Sequence, residues 1–482
     1  MKDFRPVLFI IGLLLATLAG GMLIPAIIDI FTGNASWQVF AASAGLTGFV
    51  AGALILTNRG EISALTVEQA FALTSWSWLA LTAFAALPFS FSSLNLSYTD
   101  GFFEAMSGLT TTGATVISGL DETPKGILMW RALLQWFGGI GIIVMAIAVL
   151  PMLNVGGMQL FRIESSDTSE KILPRAAEIA GSIARLYFGI SLACALAYML
   201  AGMGVFDAIA HAMTTIATGG FSTSDQSIGA FNSVAVDMVA IIFMIVSSLP
   251  FVVYLQLARG DHEPLLRDAQ IRSFLALLCS LIAILWIYRL TQGNVAAWQA
   301  LREVIFNISS ILTGTGYTNA AYDQWGNFPL SIFLIAAFIG GCAGSTACGL
   351  KIFRLYLIVK LALRYMRQLI HPNGVFSIRY NNRPLSENVA ISVLVFAMTY
   401  FICFAVIAGL LGLMGIDLIT AISASASTIA NVGPGLGALV GPSGNYAALP
   451  DMVKWVLCIA MLLGRLELFA VLVMLTPAFW RR

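Results

Sequence analysis

The chain has 482 residues, 59% of them hydrophobic and only 10% charged, with a formal net charge of +1 and a mean hydropathy of +0.89. A soluble domain carries about 25% charged residues, so this composition excludes a large soluble core and predicts an all-α polytopic membrane protein. The net charge says nothing about nucleic acid, but no basic run is interleaved with aromatics in a polar context, and no nucleic-acid partner is expected. The six cysteines sit in apolar surroundings with no C-x-x-C pair and read as buried free thiols. The three histidines are far apart and form no H-E-x-x-H, which argues against a zinc or di-iron enzyme.

In chain order, a bilayer span takes about 20 mainly apolar residues. Such stretches fall near 7–31, 37–57, 69–91, 127–152, 179–203, 234–257, 273–291, 330–362 (with a break), 388–414 and 453–477, predicting ten spans. The first is longer than the ~7–15-residue core of a signal peptide and lacks a small-x-small exit, so it reads as a retained helix. Four shorter, semi-polar segments lie between spans: Tyr98–Leu109, Val205–Ile216, Arg302–Leu312 and Asp417–Ile429. Each is too short to cross and too apolar for an ordinary loop. A re-entrant half-helix fits, because irregular backbone at membrane depth must be enclosed by protein or line a wet cavity.

Each half-helix runs into a glycine-centred element: LTTTGAT (109–115), IATGGFS (216–222), LTGTGYT (312–318) and IANVGPG (429–435). Aligned without gaps, they stack Gly113, Gly220, Gly316 and Gly433, with Leu109, Ile216, Leu312 and Ile429 four positions earlier. The chain therefore divides into two N-terminal helices (1–66) and four parallel units. These are 67–160, 161–262, 263–383 with a broken second helix, and 384–482, each a span, pore helix, filter loop and span around one pore. Asp100, Asp207 and Glu303 lie 13 residues before their glycines, and the fourth unit has Asp417 one turn before that position. These acids read either as carboxylates at helix N-termini or as an outer vestibule that concentrates cations.

A dehydrated monovalent cation needs several oxygens to replace its water. Backbone carbonyls supply them when the chain turns them toward one axis, and glycine permits the required dihedrals without a side chain. Thr111, Thr112, Thr218, Thr315 and Asn431 stand ready to add oxygens or brace the loops. Carbonyl rings suit K⁺, and the absence of acids inside the four loops disfavours a divalent-cation filter.

These residues make the chain resemble bacterial Trk/Ktr-type potassium transporters, within the superfamily that includes the fungal Trk and plant HKT proteins. The two extra N-terminal spans make it most similar to the TrkH/TrkG branch. The resemblance implies a K⁺ filter built from Thr110, Thr111, Thr112 and Gly113; Ala217, Thr218, Gly219 and Gly220; Thr313, Gly314, Thr315 and Gly316; and Ala430, Asn431, Val432 and Gly433. Glycine rather than serine at position 113 implies K⁺ over Na⁺. The fourth loop departs furthest from the threonine-rich pattern, with Asn431, Val432 and Pro434.

The eighth span is interrupted by GGCAGSTACG, with Gly340, Gly341, Gly344, Ser345, Thr346 and Gly349 among its small residues. Such a run allows close helix packing or marks an unwound segment below the filter; the resemblance implies a gating loop. Arg465, at membrane depth, costs about 2.5–3.5 kcal/mol unless it faces water or a partner. It reads as a pore-facing electrostatic barrier or as half of a structural pair with an acid on another helix. His211, nine residues before Gly220, reads as a buttress for the loop or as a titrating site.

Basic residues set the orientation. With both termini cytoplasmic, Lys2, Arg5, Arg59, Arg162, Lys171 and the 351–383 run fall inside, leaving Lys125, Arg131, Arg289, Arg302 and Lys454 outside. The basic 351–383 segment reads as positive-inside topology with lipid contact. The resemblance implies docking of a cytosolic TrkA-type nucleotide-binding regulator, a homodimer, and the bacterial inner membrane. The chain carries no G-x-x-x-x-G-K-[ST] loop, no cofactor is expected, and K⁺ is the transported ion. Competing functions are an H⁺- or Na⁺-coupled K⁺ symporter, a small-solute carrier (disfavoured by the parallel repeats) and a membrane enzyme, for which no residue cluster stands out.

Overall fold

The computed structural model describes residues 3–60, 65–148, 172–293, 295–381 and 383–481. The expected boundary at 160/161, the end of the fourth expected span, Arg162 and Lys171 lie outside these residues. The first two helices are α1 (Arg5–Thr32) and α2 (Trp37–Thr57). They pack on each other, and α1 also lies against the helices that follow. The buried carboxylate of Asp29 near the end of α1 accepts the Gly126 N–H at 2.8 Å.

From there one order of elements recurs. A long helix leads to a short one, then a loop, then a second long or broken helix. The first set is α3 (Val67–Ala85), α4 (Tyr98–Leu109) and α5 (Lys125–Ala148). The second is α6 (Ile172–Leu200), α7 (Val205–Ile216), α8 (Val234–Ser247) and α9 (Phe251–Ala258). The third is α10 (Ala269–Gln292), α11 (Ala297–Leu312), α12 (Asn327–Ile339) and α13 (Ile352–Ile370). The last is α14 (Glu387–Leu413), α15 (Leu418–Ala430) and α16 (Asp451–Arg465), with a short turn of helix at Phe469–Leu472. Arg379–Tyr380 and Arg383–Pro384 form a two-residue antiparallel pair after α13.

Among the described residues, seven helices are long and apolar enough to cross a membrane. Large apolar side chains such as Phe31, Phe49, Leu200 and Leu413 stand exposed on them, as expected where lipid is the solvent. The chain is a multi-pass membrane protein.

Two expected spans are bent rather than straight. The sixth turns by 92° between α8 and α9, and the tenth by 110° after Arg465. At the first bend Pro250 lacks an N–H and disfavours helix in the residue before it. At the second, Glu467 and Leu468 take φ of 58° and 47°, outside the right-handed region. The eighth span is broken as expected, between Ile339 and Ile352.

Candidate cation-conducting site

The four short helices end in one motif. The N–H groups of Thr111, Thr218, Gly314 and Asn431 donate to the carbonyls three residues back, at 3.0–3.3 Å. Those of Thr112, Gly219, Thr315 and Val432 donate to the carbonyls of Ser107, Thr214, Ser310 and Ser427, each at 2.9 Å. This is the paired bonding of a Schellman C-cap, which needs one left-handed residue. Thr111 (φ 50°), Thr218 (50°), Gly314 (75°) and Asn431 (53°) fill it, and two residues later Gly113, Gly220, Gly316 and Gly433 are left-handed again.

A β-branched residue is strained in that region, at about 1–3 kcal/mol. The Thr111 hydroxyl is also buried with no hydrogen-bond partner among the described residues. Thr111→Gly, which copies Gly314, should therefore stabilise the fold by about 1 kcal/mol, read as a higher thermal midpoint in detergent.

The glycines close a ring. A Cβ on Gly113 would run into the Gly219 carbonyl, one on Gly220 into that of Thr315, and one on Gly316 into that of Val432. One on Gly433 would stand 2.6 Å from the carbonyl oxygen of Thr112. Each loop thus leans on the carbonyl just before the next loop's glycine, in chain order and in one sense, and the fourth leans on the first.

Most of the loop carbonyls are left without protein partners. Of those from Thr110 to Gly113, Ala217 to Gly220, Thr313 to Gly316 and Ala430 to Gly433, only three accept a hydrogen bond from a described residue. They are Ala217 (from Thr218 Oγ1), Gly219 (from Gln135 Nε2, 2.6 Å) and Gly433. Native proteins pair more than nine in ten of their buried carbonyls, and these lie in largely buried loops. Carbonyl oxygens left unpaired in this way are able to accept from water or to ligate a cation.

Behind the ring, each of the first three loops is pinned by the residue nine positions before its glycine. Glu104 accepts the Val116 N–H (2.9 Å) and the Thr115 hydroxyl. His211 Nε2 meets Ser222 Oγ at 3.0 Å, and Asn307 Nδ2 donates to Asn319 Oδ1 at 2.7 Å. His211 also hydrogen-bonds the Asp207 carbonyl through Nδ1 and is fully buried, the arrangement of a buttress.

Two residues of α5 join the site without belonging to any of the sequence motifs. Arg131 donates to Glu104 (2.8 Å) and to the Ser222 carbonyl (2.8 Å), and Gln135 brackets Gly220 by donating to Gly219 O and accepting the Phe221 N–H. Their i, i+4 spacing in an otherwise apolar span is the one signal the sequence offers for them. Glu104→Ala would leave Arg131 buried without its counter-charge. That should destabilise the protein by about 3–5 kcal/mol, seen as a fall in detergent-resistant fold.

The acids expected in an outer vestibule are largely engaged. Asp100 is paired with Lys454 of α16 at 2.6 Å, and Glu303 with Arg289 at 2.8 Å. Asp207 accepts the Thr223 hydroxyl (2.8 Å), and Asp417 caps α15 through the Thr420 N–H (3.0 Å). The helix-start reading describes Asp100, Asp207 and Asp417, but not Glu303: α11 begins at Ala297 rather than near Arg302, so Glu303 lies inside the helix. The steering field of Asp100 and Glu303 is cancelled by their partners.

Gly340–Gly349 lies close to the third loop, with the Cys348 backbone nitrogen 3.9 Å from where a Gly314 Cβ would sit. The segment is irregular, with Gly340, Gly344 and Gly349 left-handed, and it satisfies its backbone against the α8–α9 bend. Cys342 N–H donates to Ser248 O (2.9 Å), Thr346 Oγ1 to Ser247 O (3.0 Å), and Phe251 N–H to Gly344 O (2.9 Å). Two broken spans thus pair their loose backbone groups with each other, which is how such breaks are tolerated in a membrane.

Arg465 closes this assembly. Its guanidinium donates to Thr346 O (3.1 Å), Cys348 Sγ (2.8 Å) and Gly138 O (2.7 Å), and the residue is 1% exposed. Of the two readings of Arg465, the structural pair with an acid is not met among the described residues; Arg465 ties the segment to α5 through carbonyls and a thiol. The nearby carboxylate, Glu467, serves Lys351 (3.5 Å) and Arg354, which follow the segment at the start of α13.

Residues 36–482 match the TrkH family, described as cation transport protein. The chain belongs to that family. It is 43% identical over 485 residues to the Trk system potassium uptake protein TrkI of Halomonas elongata, covering 100% of this chain and 98% of the relative. To the Escherichia coli protein TrkH it is 39% identical, covering 99% of each. Its fold matches the crystal structure of the potassium transporter TrkH from Vibrio parahaemolyticus with a TM-score of 0.92, at 36% identity and full coverage of both chains. As a TrkH-family member, it moves ions rather than catalysing a reaction.

Proposed function

We propose that the chain is a K⁺-selective uptake pathway of the bacterial inner membrane, with the units 67–160, 161–262, 263–383 and 384–482 surrounding one pore. The observation that carries this reading is the closed ring of glycine loops with its buried, unpaired carbonyls. The relatives, named as potassium uptake proteins, support K⁺ as the ion. Unpaired carbonyls within the loops Thr110–Gly113, Ala217–Gly220, Thr313–Gly316 and Ala430–Gly433 replace the ion's water, and the short helices point their negative dipole ends at it. Gly340–Gly349, latched by Arg465, is the gate.

Both termini are cytoplasmic in this reading. The partners are a cytosolic TrkA-type nucleotide-binding regulator acting through the 351–383 segment, a second copy of the chain, and membrane lipid. The test is the reversal potential of the purified protein in a planar bilayer under opposed K⁺ and Na⁺ gradients. A potential near the K⁺ equilibrium value supports the reading, and one that follows the proton gradient replaces it with a coupled carrier.

A further inference from the structure

The ring is unequal on its four sides. At the level of the glycines, the carbonyls of Gly113, Gly220 and Gly316 accept no hydrogen bond from a described residue, and these three residues are partly exposed. Gly433 is buried, and its carbonyl accepts two hydrogen bonds, from Ser427 Oγ at 2.6 Å and from the Tyr446 hydroxyl at 2.9 Å. A carbonyl oxygen has two lone pairs. Both are taken here, and none remains for an ion.

The difference has a local cause. Ser107, Thr214 and Ser310 occupy the same register as Ser427, six residues before their glycines, yet none reaches its own glycine carbonyl. The hydroxyls of Ser107 and Ser310 have no partner among the described residues, and that of Thr214 is taken by Tyr317. Only loop four has a proline after the glycine, and Pro434 restricts the ψ of Gly433. Gly433 has φ 102°, against 78–84° for the other three. Tyr446 is held in place at both ends, since its N–H donates to Thr115 O at 2.8 Å and its ring packs on Phe103, centroids 5.5 Å apart.

We propose that Ser427 and Tyr446 hold the Gly433 carbonyl out of the ring, so that the outermost cation site offers three carbonyls and leaves its fourth side to water. This rests on the reading of the glycine loops as a cation filter. A cation then enters only partly dehydrated, which eases entry but gives this site less discrimination between K⁺ and Na⁺ than a complete ring would. Ser427 and Tyr446 are positioning residues, acting through a carbonyl rather than on the ion.

The test is cation-dependent thermal stability of the full chain in detergent, titrated with K⁺ or Na⁺ at constant ionic strength, since an ion that binds only the folded state raises the midpoint. This readout does not require an open gate. The double variant Ser427→Ala, Tyr446→Phe should raise the ratio of apparent K⁺ to Na⁺ affinity about fivefold. Tyr446→Phe alone, which keeps the ring packing, should move the ratio the same way by less, and Ser427→Thr, which keeps a hydroxyl, should leave it as in the parent. An unchanged or lower ratio in Tyr446→Phe and in the double variant, with K⁺ still stabilising the parent chain, would overturn this proposal and leave the filter standing. A parent chain whose midpoint ignores K⁺ would overturn the filter reading and this proposal together.

Discussion

Arg465→Ala will raise K⁺ flux through the purified protein by at least about tenfold and leave the K⁺/Na⁺ reversal potential unchanged. The guanidinium makes three contacts, two to the Gly340–Gly349 segment and one to Gly138 across from it. Hydrogen bonds from a charged donor contribute about 1.5–3 kcal/mol each, so losing the set shifts a closed–open equilibrium by a decade or more. The ring itself should be little affected by the change, because Arg465 donates no hydrogen bond to a residue from Thr110 to Gly113 or their counterparts. Selectivity and flux should therefore separate. Flux equal to or below that of the parent chain, in protein that still folds, would show that Arg465 braces the pore rather than closing it.

The second large effect is expected at the ring. Gly220→Ala should reduce K⁺ flux by at least about a hundredfold, a loss of ~3 kcal/mol. Two costs combine there. The residue sits at φ 78°, where alanine is strained, and its Cβ would overlap the Thr315 carbonyl of the next loop. That carbonyl belongs to backbone and cannot swing aside as a side chain would. The overlap is nearly as close at Gly316, smaller at Gly113 and least at Gly433, where the distance is 2.6 Å. Alanine substitutions should rank in that order by ⁸⁶Rb⁺ uptake, and a Gly433→Ala variant more damaged than Gly220→Ala would contradict the ring geometry.

The loops are legible in sequence because their signal is local. An aliphatic residue, a left-handed position and a glycine sit within five residues, four times over. The broken eighth span is legible for the same reason, since Gly340–Gly349 has no large side chain. What escapes a sequence reading depends on partners far along the chain. Asp100 looks free until Lys454, 354 residues later, is brought to it. Arg465 reads in sequence as a pore-facing barrier or as half of an ion pair, but the fold gives it two backbone carbonyls and the Cys348 thiol, partners that sequence spacing does not announce. The bend at 248–250 carries a sign in Pro250. The bend at 466–468 carries none, since its left-handed residues are Glu467 and Leu468, types that do not mark such a turn in sequence.

Closure of the ring in chain order has a consequence for how the protein is made. The fourth loop completes the ring by meeting the first. Gly433 lies on Thr112, Asn431 donates to the Thr112 hydroxyl at 2.9 Å, and Tyr446 donates to Thr115. Asn431 follows Thr112 by 319 residues, so at ribosomal speeds of about 5–20 residues per second the first loop waits roughly half a minute for its neighbour. During that time Thr110–Gly113 is an unfinished edge inside the bilayer, with open carbonyls and a strained threonine. Its own Schellman turn and the Glu104–Arg131 pair lie within one unit and can form at once. They keep the first quarter in shape until the last quarter is inserted, so that on the proposed filter reading the ion site is complete only once the fourth loop is in place.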